Sequence, residues 1–184
     1  MKPILKGKKI KVRILRPSEY EQLRKAVEKK EDLINLDCCL LLGARYEECV
    51  EIQKHPEWFD NNFVYLPHEK KVKRKSPDRY IRLSSAGQMI LPHFFGNKPL
   101  PTPQGFRDNL IRWAKKSGLD PIGLCPRTLR KTWESWLVYY YPDQIHAIFL
   151  SQGHTELTSL NHYINMPFTE DDKKLMKKWV DGWI

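Results

Sequence analysis

Along most of this chain the apolar residues fall three and four positions apart, and in one short stretch they alternate. Pro17-Ser18 opens the first helical pattern, with Glu19 and Glu21 in its first turn, where the helix dipole favours acids, and Leu23, Ala26 and Val27 as its apolar stripe. Residues 31–43 carry Leu33, Ile34, Leu36, Leu40 and Leu41, a density that predicts a central helix. Gly43 interrupts it, and helical character resumes over 46–53 until His55-Pro56 ends the stretch. Residues 63–66 and 80–83 read as the two strands of a hairpin, with Ser76-Pro77-Asp78 marking a turn and HEKKVKRKSPDR making a very basic tip. A Pro-rich loop over 97–103 separates predicted helices at 84–95 and 105–117, the second with Phe106, Leu110, Ile111 and Trp113 on its apolar face. Further helices are predicted over 126–141, with Leu129, Trp133, Trp136 and Leu137 on one side, over 143–151, closed at Gly153, and over 156–163. A last helix, 169–183, opens at Thr169 with Asp172 three residues on, close to a capping box. Residues 1–16 show no helical period and read as a basic arm or linker into a single domain, 17–184. The fold class expected is α+β, mostly helical, with one small antiparallel sheet.

The length of 184 residues fits one domain at about 150 residues each, long enough to bury a core without staples. Lys and Arg number 32 against 22 Asp and Glu, a formal charge of +10. That excess favours a polyanionic partner: nucleic acid first, an acidic membrane surface second. Cys38, Cys39, Cys49 and Cys125 make no Cys-x-x-Cys pair, and no His pair stands at zinc-finger spacing. The first three lie in an apolar helical stretch and read as small buried hydrophobes in a reducing compartment. No apolar run reaches about 18 residues, so no spanning segment is expected. The protein is expected to be soluble and cytoplasmic, with no membrane partner.

Three separated segments carry candidate chemistry. In LLLGARYEECVEI a helix ends at Gly43, Arg45 follows, and Glu48 stands three residues later, beside the root of the guanidinium on a helix. CPRTLRKTWESWL puts Arg127 and Arg130 on one helical face just after a Pro. LSQGHTELTSLNHYIN places His154 nine residues before Tyr163. Each residue alone has a plainer reading. Arg45 pairs with Glu48 at the surface, Arg127 and Arg130 form a solvated face or a phosphate clamp, and His154 is a helix cap. In the same spirit the hairpin lysines bind backbone only, Trp133 and Trp136 are core, and His162 is exposed.

Taken together and in order, these segments resemble the tyrosine recombinases (the phage-integrase family). Their pattern is Gly-x-Arg-x-x-Glu, a β-hairpin Lys, His-x-x-Arg, then Leu-Gly-His with a Tyr nine residues on. Gly43-Ala44-Arg45-Tyr46-Glu47-Glu48 fits the first box, and Arg127-Thr128-Leu129-Arg130 the second, with Arg127 in place of His. Gln152-Gly153-His154 and Tyr163 fit the third, with Gln152 where Leu is usual. The resemblance covers 17 to the end and implies that family's catalytic-domain fold. Its implied chemistry is cleavage and rejoining of double-stranded DNA through a 3′-phosphotyrosyl link on Tyr163, with no metal, cofactor or small-molecule substrate. Arg45 and Arg130 would answer the phosphate charge with bidentate hydrogen bonds, and His154 would donate to the phosphate. Lys73, or alternatively Lys75, would protonate the leaving oxygen, Glu48 would support, and Lys70, Lys71, Arg74, Lys75 and Arg79 would contact DNA. Arg127 cannot shuttle protons near neutrality, since an Arg pKa lies above about 12, so charge stabilisation and slow chemistry are expected. Tyr139, Tyr140 and Tyr141 have no His at the matching interval.

The family's N-terminal core-binding domain has no counterpart here. The resemblance also implies a synaptic tetramer on DNA with the C-terminal helix packed on a neighbouring protomer; the plainer reading has that helix folded back on its own domain. The lineage looks like an archaeal or viral integrase, associated with nucleoid or host-cell DNA. Two other readings stand beside it: a non-catalytic DNA-binding module of the same fold, motivated by Arg127, and a relative of the type IB topoisomerases.

Overall fold

The most apolar pattern in the sequence becomes the centre of the molecule. A computed structural model describes residues 11–67, 78–153 and 167–184. In it α1 (Pro17–Lys25), α2 (Lys30–Leu42) and α3 (Tyr46–Lys54) lead into β1 (Phe63–Leu66) and β2 (Arg79–Arg82). Then follow α4 (Ser85–Phe95), α5 (Pro103–Ser117), α6 (Arg127–Tyr140), α7 (Ile145–Gln152) and α8 (Glu170–Val180). Helix α2 buries Leu36, Leu40, Leu41 and Leu42 together with Cys38 and Cys39, and packs against α4 on one side and α6 on the other. Helix α6 answers it with Leu129, Trp133, Trp136 and Leu137, all buried as their spacing predicts. Cys49 joins the same core, and all four cysteines are free thiols.

Helix ends follow local chemistry. The side chains of Ser84 and Thr102 accept from the N–H groups of Gly87 and Gly105, capping α4 and α5. Thr169 and Asp172 form the reciprocal capping box at the start of α8. The two strands pair antiparallel, from Phe63 opposite Arg82 to Leu66 opposite Arg79. The second strand therefore begins at Arg79, one residue before the expected start, because Arg79 finds a ladder partner in Leu66. No helix among the described residues is long and apolar enough to cross a membrane. The helix expected over 156–163 lies outside the described residues.

Two segments near the ends of the chain pack on the domain. The described part of the N-terminal arm, 11–16, lies against α6. Leu15 is fully buried, its N–H donates to Thr132 Oγ1 at 3.0 Å, and its carbonyl accepts from Trp136 Nε1 at 3.0 Å. Backbone hydrogen bonds on either side of this buried side chain tie the segment to α6, and the Arg13 N–H adds a bond to the Gly123 carbonyl. The C-terminal helix folds back on its own domain, against α1, α4 and α6. Met176, Trp179 and Val180 are buried there, so the apolar face that the resemblance offers to a neighbour is occupied within the chain.

The fold-back is specific. Trp179 packs edge-on to Tyr20, its Nε1 donates to Glu21, and the Arg24 guanidinium lies 4.9 Å from its ring centre. Beneath them buried Asp37 accepts from Tyr20 Oη and from both Nε and Nη2 of Arg24. Helix α8 ends at Val180 rather than running to Trp183. Gly182 turns left-handed with φ +73°, which carries Trp183 back so that its Nε1 donates to the Arg82 carbonyl.

Candidate active site

The first segment singled out by the sequence builds its corner with Gly43. At the end of α2 this residue adopts φ +55°, and its N–H closes onto the Leu40 carbonyl. A Cβ there would stand 2.6 and 2.7 Å from the Gln152 amide atoms and closer still to Trp133 Cδ1, so only glycine fits. The corner does two things. It aims the Gly43 carbonyl at α6, and it delivers Arg45 to the start of α3.

Arg130 receives that carbonyl. Its Nη1 donates to Gly43 O at 2.9 Å and its Nη2 to Gln152 O at 2.5 Å. One guanidinium thus joins three segments far apart in sequence: the α2–α3 corner, the first turns of α6 and the end of α7. Burial disfavours its charge and, with the nearby Arg45 and Arg79 cations, pushes the Arg130 pKa down to about 10 against the opposing pull of Glu134 and Glu48. It is still a cation at neutral pH. A phosphate brought against it would offset its desolvation.

Glu48 organises the other two arginines. Its Oε1 accepts from Arg45 Nη1 at 2.8 Å and from Arg79 Nη1 at 3.1 Å. Its Oε2 accepts from the Arg45 backbone N–H and from Arg79 Nη2, both at 2.7 Å. Burial opposes the carboxylate charge, but the Arg79 fork and the Arg45 contacts win and hold its pKa down at about 2. The side chain of Arg45 remains 35% exposed, so part of its fork faces solvent.

Arg79 sits elsewhere than the sequence suggests. Grouped there with the DNA contacts, it is 7% exposed, and its Nε donates to the Ser151 carbonyl at 3.3 Å. The physical reason is strand alternation: Arg79 and Ile81 share the inward face of β2, while Tyr80 is 59% exposed. That period was the signal available to find it. Ser151, which no motif marks, ties the same corner, its Oγ accepting from the Arg82 backbone N–H at 3.0 Å. Gly153 ends α7 with φ +67°, packed against the Arg79 side chain.

The structure therefore gathers Arg45, Glu48 and Arg130 and adds Arg79 behind them. Arg127 is exposed at the start of α6. Tyr141, one of the other tyrosines near the site in sequence, has its hydroxyl committed to the Val180 carbonyl at 2.9 Å. Lys70, Lys71, Lys73, Arg74, Lys75, His154, His162 and Tyr163 lie outside the described residues. Among the described residues no cluster of His, Cys, Asp and Glu has the arrangement of a metal site.

No protein-family model matches the sequence, and no curated protein matches it significantly. Solved structures do share its architecture. XerA recombinase superposes with a TM-score of 0.66 at 15% identity, covering 96% of this chain and 66% of its own. A dimer of lambda integrase residues 75–356 bound to a COC′ core site gives 0.64 at 14% identity, over 89% of this chain and 63% of its own. XerH site-specific recombinase bound to a difH substrate in a pre-cleavage complex gives 0.60 at 15%, over 86% of this chain and 52% of its own. The chain spans between half and two thirds of the length of these structures. The helical layers, the two-stranded hairpin and their order along the chain are those of a tyrosine-recombinase catalytic domain, and that is the fold this protein has.

Proposed function

We propose that this chain is the catalytic part of a site-specific DNA recombinase or integrase, cutting and rejoining duplex DNA through Tyr163. The observation that carries the reading is the meeting of three boxes at one guanidinium: Arg130 is held by the carbonyls of Gly43 and Gln152, with Arg45 alongside. Fixed, partly desolvated cations are what a developing phosphorane charge requires. Two of the solved structures with this fold are bound to DNA sites, and the +10 charge of the chain suits the same partner.

In the proposed step the Tyr163 phenolic oxygen attacks the scissile phosphorus and gives its proton to surrounding water. The new bond to phosphorus forms as the bond to the 5′ oxygen breaks. That oxygen takes a proton from Lys73, or from Lys75 in its place, and leaves as a 5′-hydroxyl. Arg45, Arg130 and His154 bind the non-bridging oxygens. Rejoining runs the sequence backwards with a new 5′-hydroxyl, so the number of phosphodiester bonds is conserved. Lys70, Lys71, Arg74 and Lys75 of the hairpin hold the DNA backbone. Arg127 adds positive charge where the family pattern has a proton-shuttling His, so turnover is slow.

The test is incubation of the full chain with supercoiled plasmid in a chelator at low salt, followed by denaturation. A covalent protein–DNA adduct, absent with Tyr163→Phe, is the expected result. DNA binding without an adduct from the unaltered chain would instead favour a binding module of the same fold.

A further inference from the structure

We infer that Arg79 is a positioning residue for the cleavage step, fixing Arg45 through Glu48 and tying both to the base of the basic hairpin. The inference rests on the recombinase reading above. Its geometry is independent of Tyr163.

Arg79 opens β2, directly after the hairpin tip in sequence. All three of its guanidinium nitrogens are engaged by protein acceptors, two on Glu48 and one on the Ser151 carbonyl. With its side chain 6% exposed and its donors taken up in this way, it is placed behind the phosphate site, not on it. Both Glu48 oxygens that it holds also hold Arg45. An Arg–Glu pair three apart at a helix start, with the Arg 35% exposed, samples several rotamers and stabilises little on its own. Pinning the carboxylate from behind with a planar fork removes that freedom, so Arg45 keeps one orientation before DNA arrives. A lysine does not reproduce this, because its ammonium is a point charge on a flexible stem and lacks the planar fork of separate nitrogens that holds Glu48 and the Ser151 carbonyl together.

The same guanidinium also meets the end of α7. A Cβ on Gly153 would lie 3.0 Å from Arg79 Cδ and 3.1 Å from its Cζ and Nε. The residue after Gly153 is His154. One buried side chain therefore touches the corner carrying Arg45, the strand leading from the hairpin lysines, and the turn leading to His154. Removing one partner of such a pair leaves the other charge buried and unpaired, so stability is measured alongside orientation.

The experiment measures single-turnover adduct formation on supercoiled plasmid with the full chain, its Arg79→Lys and Arg45→Lys variants, and the double variant. The expected result for Arg79→Lys is a ten- to hundredfold lower maximal rate, with the DNA concentration at half-maximal rate unchanged within twofold. In the Arg45→Lys background the same change should cost no more than twofold, because its route of action is already gone. Glu48→Gln should reproduce the Arg79→Lys pattern, and it serves as the readout should Arg79→Lys fail to fold by circular dichroism. An equal loss in both backgrounds, a loss confined to DNA affinity, or no loss overturns the inference while leaving the recombinase reading intact. No adduct from the unaltered chain overturns that reading and the inference with it.

Discussion

Replacing Gln152 by Leu should stabilise the protein, although the residue lies in one of the three boxes. Gln152 is 1% exposed, and among the described residues neither its Oε1 nor its Nε2 has a hydrogen-bond partner. Leaving such groups buried and unpaired costs about 1–3 kcal/mol. The side chain lies against the open face of Gly43, where the missing Cβ leaves room for a leucine methyl. Leu is close to Gln in volume, so repacking should cost less than about 1.5 kcal/mol. The contact that matters for Arg130 is made by the Gln152 backbone carbonyl, which the substitution keeps. The net expectation is a gain of about 1–2 kcal/mol. In a domain of this size that raises Tm by about 3–6 °C. Paired urea and thermal unfolding curves, followed by circular dichroism, measure it, with an unchanged denaturant slope as the control. A loss of about 1 kcal/mol or more would refute the reasoning, since it would mean that the amide makes a hydrogen bond worth keeping.

Three more predictions follow from the same geometry. Gly43→Ala combines a left-handed backbone with overpacking against Trp133 and Gln152, and should cost about 2–4 kcal/mol in urea unfolding. Asp37→Ala leaves Arg24 and Tyr20 without their buried acceptor and should cost about 3–5 kcal/mol by the same assay, with Trp179 fluorescence reporting release of α8. Glu48 has a folded pKa of about 2 against an ordinary 4.5, so its stabilisation is complete above 4.5 and is lost as pH falls toward 2, about 3 kcal/mol in all. Urea midpoints at pH 6, 4 and 2.5 should show that fall in the wild type and a flatter profile in Glu48→Gln.

What the chain reveals before folding is mostly local. Gly43 ends a helix because glycine alone tolerates φ +55° there, and Ser84 and Thr169 announce helix starts because their oxygens satisfy free N–H groups, whereas Thr102, read as loop, caps α5, which starts two residues before the expected 105. The pairing of 63–66 with the strand after the basic tip was readable from alternation. Contacts between distant segments were not. The stripe of Leu175, Met176, Trp179 and Val180 says that α8 buries a face, although Leu175 stays exposed, and Tyr20, Arg24 and Glu21 decide that it does so within its own chain. Leu15 lies among mixed apolar and basic residues, Val12, Arg13, Ile14 and Arg16, and it is the bonds to Thr132 Oγ1 and Trp136 Nε1 that show it to be anchored.

The site divides the same way. The intervals between boxes anticipate that Arg45 and Arg130 come together, whereas the acceptors of Arg130 are backbone carbonyls that leave no mark in side-chain spacing. Arg79 was hidden by its neighbours. Among so many hairpin cations it reads as one more phosphate contact, and only its two-residue step from Ile81 places it inside.

The central claim is that Tyr163 is the nucleophile, and the most direct measurement of it locates the covalent link. The adduct formed on plasmid DNA would be digested with nuclease and trypsin, and the peptide carrying a nucleotide remnant sequenced by mass spectrometry. A remnant on Tyr163 and absent from every other residue is the predicted result. A remnant on Tyr139, Tyr140, Tyr141 or any other side chain would contradict the assignment.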